Sequence, residues 1–414
     1  MRPARLAAAL SLVGAVLGLA GCGAAPEANR IPGKRLVIYL SGPLHGASNA
    51  IAHAQVNAAR LALAEQGARV GKYLIQLKVL DDSTLQSDGW DPNQTTLNAR
   101  LSVQDPAAIG YLGELNSGAT AISIPVLNRA GIAQVSPSSG AVGLTSQGPG
   151  ASPGEPEKYY PTGVRTFARV VPSDAVESEV QVSLEQSLGC KATFVLQDGE
   201  VDGSSEAITF ALTAQSRGLS VLGVQAFVPH ALDYTGLAAS VAQSGADCVL
   251  LSALDGPSAA RLARELAVEL PNAKLFASST LAQPSFTQPA KGGLAPALDS
   301  RVLILSPALG GSAYPPPERA MLAAYSRQFG PAPPQAVFGY AAMSLMLDAI
   351  RRATDNGRKA AQRSKVVAAL FARGTHQSVL GPYGIDANGD TTLVSYGIYR
   401  VMNGRLVFLR AATG

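Results

Sequence analysis

The chain has 414 residues, 47% of them apolar and 15% charged, with a formal net charge of +4. That apolar fraction is enough to fill folded cores and excludes general disorder, and the length suits about two domains. The basic residues are scattered and never gather into a Lys/Arg run with aromatic partners, which excludes a nucleic-acid-binding surface.

The chain opens on an address. Arg2 and Arg5 precede an uncharged apolar run, Leu6 to Ala20, which ends in Leu19-Ala20-Gly21-Cys22. A charged start, a short apolar stretch and small residues before a cut make a secretory signal peptide. The run is too short to span a bilayer, which takes about 20 apolar residues. A small pair before cysteine is the lipoprotein form of the cut site. Residues 1–21 are therefore expected to be removed and Cys22 to carry the lipid. The alternative is a plain signal peptide with an incidental cysteine. Residues 22–33 are polar and read as a flexible tether, held to the extracytoplasmic face of the membrane by its acyl chains. No second long apolar segment follows, so the body is expected to be soluble.

From Leu36 the chain alternates strand and helix. Leu36 to Leu40 is a short apolar run ended by Ser41-Gly42-Pro43. A helix over Ser48 to Gln66 places Ile51, Ala54, Ala58, Leu61 and Ala62 on one face, with Ser48 as a candidate N-cap. A strand at Leu74 to Leu80, a helix after Asp91-Pro92, a strand at Ile109 to Leu112, a helix from Ser117 to Arg129 and a strand at Ile132 to Val135 follow. This order implies a parallel, doubly wound sheet. The Gly/Pro/Ser-rich stretch from Gly140 to Gly163 reads as a loop at a domain boundary. The alternation then restarts, with strands at Ala192 to Leu196, Val221 to Phe227, Val249 to Leu251, Leu275 to Ala277 and Val302 to Leu305. A helix over Ala336 to Arg352 and a tail of hairpin strands, with Asn388-Gly389 and Asn403-Gly404 as turn signals, close the chain. There is no internal sequence repeat. The fold class is α/β, with two doubly wound parallel-sheet lobes.

Enzyme and metal readings find little support. Gly150-Ala151-Ser152-Pro153-Gly154 matches the G-x-S-x-G pattern, but a nucleophile elbow needs a strand before it and a helix after it. Here prolines flank it in a polar loop. His45, His53, His230 and His376 are far apart in sequence, show no metal-ligand spacing and are expected at the surface or in loops. Asp386-Ala387-Asn388-Gly389-Asp390 lacks the distal glutamate of a calcium loop and reads as a turn. No cofactor loop follows any strand.

Several stretches together resemble the leucine/isoleucine/valine-binding family of type I periplasmic binding proteins, the solute receptors of ABC importers. They are Leu40-Ser41-Gly42-Pro43; Asp81-Asp82 with Asp91-Pro92-Asn93-Gln94; Gly113-Glu114-Leu115-Asn116-Ser117; Val135-Ser136-Pro137-Ser138-Ser139; and Gly381-Pro382-Tyr383-Gly384-Ile385-Asp386 with Gly389-Asp390. They span nearly the whole chain after the tether. The resemblance implies a three-strand hinge, with crossings near Thr166, Ser306 and Gly381. Residues 34–165 and 308–381 would form lobe 1; residues 166–307 and 382–414 would form lobe 2.

The resemblance also implies a site between the lobes. Leu115, Asn116 and Ser117, at the start of a helix, would hold a ligand carboxylate, since free backbone N–H groups there favour an anion; a simple N-cap is the alternative for Ser117. Ser138, Ser139 and Gly140 would form the next ligand loop. From lobe 2 the family presents aromatics and an acid that pairs with the ligand amine. Here the corresponding stretches are Asp198-Gly199-Glu200-Val201-Asp202-Gly203, Leu254-Asp255 and Ser279-Thr280. The usual amine clamp is thus not in place. Asp202 or Asp255 is a candidate substitute, and a solvated loop acid is the alternative for each; Ser279 is a further candidate contact.

These implications make the chain a non-enzymatic, lipid-anchored, monomeric solute-binding protein with no cofactor. It would deliver an amino acid or related amide or carboxylate to an ABC permease. A ligand-sensing receptor subunit without a transport role is the alternative. Finally, Cys190 and Cys248 lie at the amino ends of strands that a 2-1-3 sheet order makes neighbours. They are a candidate disulfide, with two buried free thiols as the alternative.

Overall fold

The computed structural model describes residues 29–87, 89–311 and 313–414. The signal peptide and Cys22 lie outside the described residues, as does most of the tether. Two open sheets organise the molecule. The first has the order Arg69–Val70, Tyr73–Asp81, Arg35–Gly42, Ala108–Leu112, Ala133–Ser136, Phe167–Arg169. All its pairings are parallel except that of the short Arg69–Val70 strand. The second has the order Ser220–Ala226, Ala192–Gln197, Cys248–Ser252, Lys274–Ala277, Val302–Ser306, all parallel. Two antiparallel strands, Ser395–Met402 and Arg405–Thr413, extend its far edge. Each sheet therefore carries the 2-1-3-4-5 doubly wound order in its parallel part.

The strands are short apolar runs because helices cover both faces of a parallel sheet. Val37, Ile38, Tyr39 and Leu40 are all buried, as are Val249, Leu250 and Leu251. The Asn49–Glu65 helix lays its small-residue face against the Ala336–Ala353 helix in the larger core. Ser48 begins the first of these helices without making a side-chain cap.

The chain passes between the sheets three times: after Arg169, after Ser306 and before Ser395. The first and last of these differ from the sequence expectation. Phe167–Arg169 still pairs with Ala133–Ser136, and Tyr383 and Ile385 pack in the core of the first lobe. A three-residue strand is too short to show periodicity, so the exit could not be read there. Of the two expected turns, Asn403-Gly404 closes a true hairpin, with both residues at positive φ as a type I′ turn requires. Asn388-Gly389 instead belongs to a turn built on Asp386, whose Oδ1 accepts the N–H groups of Asn388, Gly389 and Asp390 at 2.8–2.9 Å.

Cys190 and Cys248 are joined by a disulfide with Cα atoms 5.9 Å apart. The register pairs Cys248 with Thr193, so Cys190 approaches from three residues before its strand's ladder position. Asp247 accepts the N–H groups of Lys191 and Ala192 and fixes that approach.

Candidate functional site

In both sheets the carboxyl ends of the parallel strands face each other across a cleft. Ligands of open α/β folds bind beyond such ends. Two adjoining compartments lie there, of about 120 Å³ and about 60 Å³. They share Ser48 and Asn116 from the first lobe and Leu254 from the second. A larger hollow of about 610 Å³, beside Asp348, His376 and Tyr383, is lined among the described residues by the first lobe alone.

The first compartment has Trp90 on one side and Asp198, Glu200, His230 and Asp255 on the other. Trp90 reaches this place because Gly118 lets it pack on the start of the Ser117–Arg129 helix; a Cβ there would sit 2.6 Å from the indole. Asp198 is committed to its own lobe. Its Oδ2 accepts the N–H groups of Leu254 and Asp255 at 2.6 and 3.1 Å. Asp255 caps the Gly256–Glu269 helix through Ser258 N–H and stands 3.4 Å from His230. Glu200 is half-buried, with the Trp90 side chain within hydrogen-bonding reach; burial, then the charges of Asp198 and Asp202, raise its pKa.

The second compartment is walled by Leu115, Asn116 and Ser138 from the first lobe and by Asp202, Ser279 and Gln283 from the second. Its main feature is a contact between the lobes. The Ser117 N–H, first of the helix, donates to both carboxylate oxygens of Asp202 at 3.0 Å. Asn116 occupies the N-cap position but makes no capping bond. The cap thus comes from the opposite lobe, 85 residues away. Burial pushes the Asp202 carboxyl up to about 6, against the lowering effect of the Ser117 donors.

Buried acids stand behind this wall. Asp174 is pushed up to about 8 by burial and by the charges of Glu177 and Asp202. Burial also raises Glu177, which accepts the Ser279 N–H and hydroxyl at 2.7 and 2.6 Å. Glu206 is raised further, by burial and by Glu177. In the first lobe, burial raises Glu114 to about 7 while Tyr111 donates to it at 2.6 Å; Asp82 beside it is raised as well, by burial and by Glu114. Two carboxyls buried side by side repel when both are charged, which opposes the second ionisation of each such pair.

Of the nine residues expected at the site, Leu115, Asn116, Ser138, Asp202, Asp255 and Ser279 line the compartments. Ser117, Ser139 and Gly140 line neither. The Ser117 hydroxyl accepts the Ala141 N–H at 3.2 Å. Ser139 is held by the Thr120 hydroxyl at 2.7 Å. Gly140 makes room for Asp174, whose Oδ1 would lie 2.1 Å from a Cβ. Sequence reasoning did not single out Gln55, Trp90, Glu200 or Gln283 as ligand contacts. Gln55 carried one signal: it is polar and sits among Ala52, Ala54, Ala58 and Ala59 on a buried helix face. His376 is more enclosed than expected, packed on Tyr383 with Nδ1 3.3 Å from Asp348. The 150–154 loop lies between two short 3-10 turns, Val142–Leu144 and Glu157–Tyr159, and not between a strand and an α-helix.

The profile of the family described as periplasmic binding protein matches residues 37–405. No curated protein matches the chain by sequence. Among solved structures, the leucine-binding protein LivK of Thermotoga maritima superposes with a TM-score of 0.77 at 18% identity, covering 91% of this chain and 99% of that one. LivJ of Streptococcus pneumoniae, in complex with isoleucine, gives 0.73 at 16%, over 92% and 99%. A solute-binding protein of an ABC transporter from R. palustris, in complex with benzoate, gives 0.72 at 17%, over 92% and 97%.

Proposed function

The chain belongs to the periplasmic binding protein family, and we propose that it captures a small polar organic solute between its lobes and delivers it to the permease of an ABC importer. The family is one of binding proteins and not of enzymes. The observation that carries the proposal is the pair of compartments, each walled by side chains from both lobes. A ligand there bridges the two halves and stabilises the closed arrangement over the open one, which is how hinge closure is driven. The solved relatives support an amino-acid, amide or carboxylate scale of ligand, since they hold isoleucine and benzoate.

The same proposal includes the membrane tether. Leu19-Ala20-Gly21-Cys22 supports lipidation at Cys22, and no helix among the described residues is long and apolar enough to cross a membrane. Mass spectrometry of the membrane fraction should find an acylated Cys22, and Cys22→Ala should move the protein to the soluble fraction.

A thermal-shift screen of amino acids, amides, amines and carboxylates tests the solute-binding reading. A ligand at 100 times its Kd should add about 2.7 kcal/mol of stability. If no small solute stabilises the protein, the reading is wrong.

A further inference from the structure

We infer that the solute is a small organic cation, an ammonium or amidinium compound without a carboxylate; this deepens the solute-binding reading and rests on it. Two independent observations carry the inference.

The first is that the anion position is already filled. The Ser117 N–H at the helix start is the donor a ligand carboxylate would use, and Asp202 takes it with both oxygens at 3.0 Å. A ligand carboxylate would have to displace a buried side chain of this chain and then lie beside it. Among the described residues no lysine or arginine lines either compartment, whereas Asp198, Glu200, Asp202 and Asp255 do, with His230 paired to Asp255. Like charges brought together in a partly buried cleft repel strongly; a cation is attracted by every one of them.

The second is a set of buried acceptors that find no donor. Gln55, Gln283 and Asn116 line the second compartment and are 1%, 2% and 6% exposed. Among the described residues the carbonyl oxygen of each has no hydrogen-bond partner. For the two glutamines the assignment of oxygen and nitrogen is fixed by their own bonds. Gln55 Nε2 donates to Pro137 O at 3.4 Å, and Gln283 Nε2 donates to Leu254 O at 3.1 Å. What remains on both is an acceptor. Buried acceptors without donors are costly, and the residues that carry them line one compartment from opposite lobes. An ammonium or amidinium group offers only donors. Trp90 and Glu200 line the adjoining compartment together, an aromatic ring and an acid of the kinds that receive cations.

Matched pairs of probes test this, each pair differing in the charged group: benzamidine against benzoate, and L-leucinamide against L-leucine. In calorimetric titration of the wild-type protein at neutral pH, the cationic member of at least one pair should bind no less than tenfold tighter. Asp202→Ala, which frees the Ser117 N–H, should lower that preference and admit the carboxylates. Asp202→Asn, which keeps a cap and removes the charge, is the conservative second variant. Wild-type protein that binds the carboxylates as tightly as the cations overturns the cation assignment and leaves the solute-binding reading standing. Wild-type protein that binds none of the four, nor any solute in a broad panel of sugars, nucleosides and amino acids, overturns both.

Discussion

Loss of Arg169 should disturb the fold beside the cleft, and its contacts set the size of the effect. The side chain is fully buried. Its Nε donates to Asp390 Oδ1 at 2.7 Å, its Nη1 to the carbonyls of Ser139 and Ala141 at 3.2 and 2.9 Å, and its Nη2 to Thr145 Oγ1 at 2.8 Å. One guanidinium thus ties the end of the first sheet to the loop after Ser136 and to the turn at Asp386–Asp390. Arg169→Met keeps most of the volume and removes all four bonds. Breaking a buried ion pair from one side costs about 3–5 kcal/mol, and each abandoned neutral acceptor adds up to about 1–3 kcal/mol where water cannot reach it. Asp390 is 23% exposed and keeps the bond that the Thr145 hydroxyl donates to it, which recovers part of its share, and a total of at least about 3–5 kcal/mol is expected. Asp390→Asn leaves the arginine four neutral acceptors but takes the counter-charge from a fully buried guanidinium, and should also cost about 3–5 kcal/mol. Urea unfolding of the two variants beside the wild type measures both. A Met variant within about 1 kcal/mol of wild type, or an Asn variant as stable as wild type, would refute the account of Arg169 as the joint between these segments.

Three further outcomes are expected. The Cys190–Cys248 bridge closes a separation of 58 residues and should stabilise by about 2–4 kcal/mol; thiol titration of denatured, unreduced protein should find neither cysteine reactive, and two reactive thiols would rule the bridge out. Gly389 has φ +104°, and a Cβ there would lie 2.1 Å from the Phe167 carbonyl oxygen, so Gly389→Ala should lower the unfolding free energy by at least about 2 kcal/mol; a neutral result in urea would mean that this turn yields freely. Burial raises Glu114 and Glu185 to about 7, Asp174 to about 8 and Asp202 to about 6. Folded protein therefore holds more protons than unfolded protein between about pH 4 and 8. The stabilisation this gives is complete below the unfolded values and is lost as pH rises through 6 to 8, so Tm should be higher at pH 5 than at pH 8. A Tm that climbs over that interval would contradict the burial of these acids.

The strand and helix order was legible because both lobes obey simple periods. Buried parallel strands are short apolar runs, and the Asn49–Glu65 helix repeats small apolar residues on one face. The site was legible only where it coincides with the ends of those elements: Asn116 and Ser138 follow strands, and Asp255 caps a helix. What escaped is what depends on the other lobe. Asn116-Ser117 reads locally as an N-cap followed by a free helix start, and a free helix start reads as an anion site. No pattern within the helix says that Asp202 will occupy it, because the two are brought together only when the lobes meet. The same holds for Gln283, which in sequence is a polar residue before Pro284 and becomes informative only once its Nε2 is seen to be spent on Leu254. Local signals thus specify where a ligand can sit, whereas its charge is set by groups that converge from both lobes. For this cleft the two levels disagree: the first-lobe loops suggest a carboxylate, and the second lobe has already supplied one.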